Sequence, residues 1–102
     1  MESTSVETDR RARIRQIREV AAGTFEVGPE QVEAAESFTD DLGADSLLAV
    51  EFLVALERRF GIALELSELD RLMANLDSAY EAIAAIAGWP ADPAGDDNRE
   101  GA

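Results

Sequence analysis

The 102-residue chain contains no cysteine, no histidine and no lysine, only six aromatic residues and no long apolar run. Each absence removes a class of function. Without Cys or His there is no Cys nucleophile, no Ser-His-Asp triad, no Cys or His zinc site and no disulfide framework. Any catalysis would be left to carboxylates and hydroxyls. No segment approaches the roughly 18 apolar residues of a membrane-spanning helix. The start, Met1-Glu2-Ser3-Thr4-Ser5, lacks the basic-then-apolar order of a signal peptide, so a cytoplasmic protein without membrane insertion is expected. Nine basic residues, all arginine, stand against 22 acidic ones, for a net charge of −13. This excess argues against nucleic acid and anionic bilayers, which are bound through Lys and Arg. Partners should instead present basic surfaces.

At 46% apolar and 30% charged residues, the chain can bury the core of one small domain. Its charge is unevenly placed. Residues 21–57 hold nine acidic and no basic side chains, whereas five of the nine arginines fall within residues 10–18. Residues 1–8 are polar and aperiodic, and residues 88–102 are rich in Gly, Pro and Asp. Both ends are therefore predicted to be disordered, with one domain over residues 9–87.

Periodicity within that domain is helical throughout, and no segment alternates over strand length. Ile14, Ile17, Ala21 and Phe25 share one stripe, which predicts a helix over residues 9–22 with Gly23 as its stop. More than twenty residues without a long helical pattern follow, and Pro29 suits the first position of a short turn inside this link. Asp45 can cap a second helix over residues 46–60, Gly61 fits its left-handed end, and Arg58 and Arg59 suit the negative end of its dipole. Ser67-x-x-Asp70 and Ser78-x-x-Glu81 resemble capping boxes. They predict a short third helix with Leu69, Leu72, Met73 and Leu76 on its apolar side, and a fourth with Ala79, Ala82, Ile83 and Ile86, ending at Gly88. The expected fold is all-α: a small four-helix bundle, three longer helices and a short third, with a long loop between helices 1 and 2.

On a wheel at about 100° per residue, the second helix has two apolar faces. Ala49, Phe52, Leu53, Leu56 and Phe60 form one, sufficient for a core. Leu47, Val50 and Val54 form the other, flanked by Glu51, Glu57 and Arg58. Periodicity alone leaves two explanations open: burial on both sides, or a docking patch rimmed by charge. Ser46 is equally open. It fits a plain helix start, and it also fits a hydroxyl placed where free backbone N–H groups favour a phosphate diester.

The segment Glu36-Ser37-Phe38-Thr39-Asp40-Asp41-Leu42-Gly43-Ala44-Asp45-Ser46-Leu47 resembles the attachment site of the acyl carrier protein family, with its Phe, acidic residues, Leu-Gly, any residue, then Asp-Ser-Leu. The similarity continues through Val50, Glu51, Leu56, Glu57, Phe60 and Gly61. It implies a carrier whose Ser46 bears covalent 4′-phosphopantetheine, taken from coenzyme A by a separate phosphopantetheinyl transferase. It also implies that the arm's thiol holds acyl groups as thioesters, which suits a chain with no Cys. By position, Asp45 and Leu47 flank the attachment site, and Leu47, Val50, Glu51, Val54 and Glu57 match partner-facing residues. Phe38, Leu42, Phe52, Leu56 and Phe60 match core or cleft positions. The implied partners are the transferase and acyltransferases, ketosynthases or other pathway enzymes with basic docking patches, acting on a monomer that has no catalytic residue of its own.

The chain also departs from the family pattern. Leu48 and Arg58 stand where fatty-acid carriers are often acidic, so a discrete carrier for polyketide or another specialised pathway fits at least as well as one for fatty-acid synthesis. An aminoacyl or peptidyl carrier is the nearest alternative, but its usual Gly-Gly-x-Ser is replaced here by Ala44-Asp45-Ser46. A plain acidic interaction module without cofactor is the rival from another class. Asp40 and Glu51 have the end-to-end spacing of a calcium loop, yet Leu42, Ala44 and Asp45 fail at its third, fifth and sixth positions. No metal site is expected.

Overall fold

Ile17, Ala21 and Phe25 lie on one side of the first helix, are buried and form part of the core. The computed structural model describes the backbone of residues 2–89 and the side chains of residues 9–89. Six α-helices occur among the described residues: α1 (Glu2–Phe25), α2 (Pro29–Ala34), α3 (Phe38–Leu42), α4 (Ser46–Phe60), α5 (Leu69–Ala74) and α6 (Leu76–Ala87). A 3-10 turn, Leu66–Glu68, leads into α5. Helix α1 packs against α2, α4 and α6, while α5 bridges α3, α4 and α6. The three long helices and short α5 form the expected bundle. The long link before α4 carries the two remaining short helices, one of them begun by Pro29 as its sequence suggests.

The boundaries of α1 differ from expectation at both ends. Its backbone is helical from Glu2, including residues 2–8, which their polar sequence assigned to a disordered end. Gly23 does not stop it. The helix runs to Phe25, and Glu26 takes the left-handed conformation (φ 59°), while the Val27 N–H donates back to the Ala22 carbonyl at 3.0 Å. Burial of Phe25 holds the extra half-turn in place, so an ordinary residue performs the closure that glycine usually does.

Two predicted capping boxes do not form. The 3-10 turn occupies the place of the first: the Glu68 N–H donates to the Glu65 carbonyl, and no side chain caps α5. Helix α6 starts earlier than Ser78, because the Asn75 side chain accepts the Ser78 N–H at 2.8 Å and takes the cap. Leu76 consequently opens α6 instead of closing α5. The buried face of α6 is Leu76, Ala79, Tyr80, Ala82 and Ile83, whereas Ile86 is exposed.

Gly88 ends α6 in a left-handed conformation, and Trp89, grouped by composition with the tail, belongs to the packed structure. Its indole meets Phe60 edge-on at 5.2 Å and Tyr80 at 5.5 Å, and the Arg13 guanidinium lies 4.7 Å from its ring centre. Aromatic area and a cation over its face outweigh the turn-forming composition around it. The rest of the expected tail, residues 90–102, lies outside the described residues. No helix among the described residues is long and apolar enough to cross a membrane.

Candidate functional site

Residues 37–44 build the approach to α4, and five of them, Ser37, Phe38, Asp41, Gly43 and Ala44, have identifiable physical tasks. Ser37 caps α3 by accepting the Asp40 N–H at 3.2 Å. Asp41 reaches back and accepts the N–H groups of Glu36 and Ser37 at 2.8 and 3.3 Å. These bonds satisfy donors that a five-residue helix cannot satisfy internally. Phe38 is fully buried and meets Phe25 of α1 at 5.5 Å and Phe52 of α4 at 6.1 Å, with Phe25 and Phe52 themselves 5.1 Å apart. This aromatic triangle locks the short helix to the two long ones. Gly43 then turns the chain at φ 66°, a conformation that side-chain-bearing residues adopt only with strain. Buried Ala44 pins the turn to the core.

Asp45 caps α4, its Oδ1 accepting the Leu48 N–H at 3.0 Å. Ser46, the first residue of α4, is exposed, as are Asp45 and Leu47. Beside Ser46 lies an open groove of about 300 Å³, lined by Thr39, Ala44, Asp45, Ser46, Ala49, Leu69, Asp70 and Met73. The groove thus joins the start of α4 to α3 and α5. For Thr39 the sequence suggests no role of its own, and for Asp70 only a helix-capping one. Leu69 and Met73 carry a signal, since both lie on the apolar side predicted for the third helix. A larger cavity of about 440 Å³ between α1, the end of α2 and the start of α6 contains none of the candidate residues. No cluster of His, Cys, Asp and Glu suited to a metal ion occurs among the described residues.

The two apolar faces of α4 have different fates. Ala49, Phe52, Leu53 and Leu56 are buried, with Phe60 half-buried against the core. Leu47, Val50 and Val54 stay in solvent at 67%, 38% and 36% exposure, so burial on both sides is not what these residues are for. Glu51 is exposed beside them. Glu57 is different: it is only half-exposed, and its Oε2 accepts the Leu64 N–H at 2.7 Å. Its carboxylate ties the link after α4 to the helix, a structural duty that its spacing on the helix does not reveal.

Comparison with known proteins gives matches over most of the described chain. A family profile described as "Phosphopantetheine attachment site" matches residues 15–83. The chain is 39% identical over 62 residues to an acyl carrier protein of Campylobacter hominis, an alignment covering 61% of this chain and 78% of that one. It is 34% identical over 76 residues to polyketide-8 synthase acyl carrier protein 1 of Streptomyces avermitilis, covering 74% and 89% of the two chains. Among solved structures, a chain of the ishigamide ketosynthase/chain length factor superposes with a TM-score of 0.61 at 36% identity, covering 76% of this chain and 96% of its counterpart.

Proposed function

We propose that this chain, which belongs to the acyl carrier protein family, takes its 4′-phosphopantetheine arm at Ser46 and offers the outer face of α4 to the enzymes that load and use it. The arm supplies a terminal thiol that carries acyl groups as thioesters, chemistry that a chain without cysteine cannot provide itself. The chain is accordingly a carrier rather than a catalyst.

One observation carries the assignment of Ser46: an exposed hydroxyl on the first residue of α4, at the lip of a groove, directly after the Leu42-Gly43-Ala44-Asp45 turn. The residues there suit a phosphodiester. The first bonded N–H groups of α4 are those of Leu48 and Ala49, both taken by Asp45. The N–H groups of Ser46 and Leu47 precede them at the positive end of the helix, where a phosphate is favoured. Asp45 has a holding role, fixing the helix start, and Leu47 is an exposed apolar contact beside the attachment point. With no His in the chain to serve as base, removal of the Ser46 proton falls to the phosphopantetheinyl transferase. In that transfer the Ser46 oxygen forms a bond to phosphorus, and the adenosine-bearing phosphate of coenzyme A leaves.

Leu47, Val50 and Val54 form the apolar part of the docking face, and Glu51 its acidic rim. Acyltransferases, ketosynthases or related enzymes of one acyl-building pathway are the users this surface suits, with the carrier a cytoplasmic monomer. A polyketide or other specialised pathway is favoured by exposed Arg58, which interrupts the negative charge of the face. Intact mass spectrometry after incubation with coenzyme A, Mg²⁺ and a broad-specificity transferase tests the assignment. One arm should be added to the natural chain and none to Ser46→Ala; equal addition to both would falsify it.

A further inference from the structure

The outward side of α4 carries charge of both signs, and only some of that charge is used inside the molecule. Glu57 is bound to the Leu64 N–H, and Asp45 is bound to the Leu48 N–H. Arg59 pairs with Glu19 of α1 at 3.7 Å. Glu51 and Arg58 remain: both are exposed, and neither makes an ion pair with any of the described residues. They are seven residues apart, which places them about 20° apart around the axis and roughly 10 Å apart along it. Val54 lies between them, with Leu47 and Val50 toward Ser46. The face is therefore bipolar: an anion nearer the serine, an apolar centre, and a cation at the far end.

We propose that Arg58 is a specificity-determining residue of this face, selecting enzymes that set a carboxylate opposite it and discriminating against a uniformly basic docking patch. This rests on the outer face of α4 being the docking surface around Ser46. Its partner is an enzyme with a basic group facing Glu51, an apolar hollow for Leu47, Val50 and Val54, and an acidic group about two helical turns farther from the serine. Charge complementarity of this kind fixes orientation, because a partner docked in reverse meets like charges at both ends. A role confined to the helix dipole is the competing account of Arg58, since cations favour the last turn. That role would change stability and leave partner choice untouched.

The test uses the full chain and one transferase with a uniformly basic docking patch, in its natural form and with its basic patch residues changed singly to Glu. Against the natural enzyme, Arg58→Glu should raise kcat/KM for arm transfer about 3–10-fold at low salt, and the gain should fade as ionic strength screens the pair. Against at least one Glu-bearing enzyme the order should reverse, the natural carrier becoming the better substrate. Affinities of Ser46→Ala and of Ser46→Ala with Arg58→Glu for both enzyme forms, read by surface plasmon resonance, should cross in the same way without any chemistry. Failure to transfer the arm to the natural chain, with the affinities still crossing, would sink the Ser46 assignment and leave Arg58 standing. Arm transfer with no crossing in either measurement overturns the role of Arg58.

Discussion

The Glu57 carboxylate accepts the backbone N–H of Leu64 at 2.7 Å, tying the link after α4 back onto the helix it has just left. Leu64 is buried, so the bond also orients an apolar anchor. Glu57→Ala should lower unfolding stability by about 1–2 kcal/mol, in the range for a hydrogen bond to a charged group with a partner left unsatisfied. Glu57→Gln, which keeps an acceptor oxygen, should lose less than half of that. Urea denaturation of both variants checks the order. Glu51→Gln should leave the midpoint unchanged, so the two acidic residues of this face separate into one structural and one free.

The start of α4 makes a second prediction. Asp45→Ala removes the acceptor for the Leu48 N–H and should cost about 1 kcal/mol, as capping residues typically do. Asp45→Asn preserves the cap while removing the charge. If Asp45 acts at Ser46 only by fixing the helix start, arm transfer to Asp45→Asn should stay within about twofold of the natural chain at high salt, where charge steering is screened. Combined urea melts and intact-mass time courses distinguish the cap from the charge.

The triangle of Phe25, Phe38 and Phe52 joins three helices through ring contacts of 5.1–6.1 Å. Phe38→Ala should cost about 3–5 kcal/mol, a large part of the roughly 5–15 kcal/mol available to a small domain. Phe38→Leu should cost about 1–2 kcal/mol, since most of the volume is kept. Because Phe38 lies eight positions before Ser46, the Leu variant should also loosen the 37–45 segment ahead of the global transition. Amide hydrogen exchange at Asp40 and Leu48, whose N–H groups serve the two caps, would detect that loosening.

Much of this arrangement is legible in the sequence, for reasons that differ by element. Helix α4 is clear because the Asp45 cap, the Gly61 stop and an uninterrupted apolar pattern agree on its limits. Its two faces can be read from the wheel, but exposure of Leu47, Val50 and Val54 depends on where the other helices pack. Helix α3 is hidden because five residues are too few to show a period. Its signal is Ser37-x-x-Asp40, of the same form as the pattern that misleads at Ser67 and Ser78, where the Glu65 carbonyl and Asn75 supply the actual bonds. The duty of Glu57 cannot be seen at all from spacing, since its partner is a backbone N–H placed by the path of a turn. Trp89 is obscured by its neighbours: composition describes the segment, while one indole packs.

Glu26 offers a way to gain stability. Its φ of 59° places an ordinary residue where a Cβ is disfavoured by about 1–2 kcal/mol. Glu26→Gly removes that strain and loses part of the gain to the greater freedom of the unfolded chain. The expected net effect is a stabilisation of about 0.5–1 kcal/mol, raising the thermal midpoint by roughly 3–6 °C for a domain of this size. Calorimetry of the single variant suffices, and a lowered midpoint would show that Glu26 makes contacts worth more than the strain.

Trp89 is the single tryptophan of the chain. It sits on Phe60, the last residue of α4, whereas Ser46 is the first, roughly 20 Å away along the helix axis. The molecule thus carries its own fluorophore at the seam of α1, α4 and α6, distant from Ser46. Its emission registers whether the three long helices are together, without a label and without disturbing the proposed attachment and docking surface.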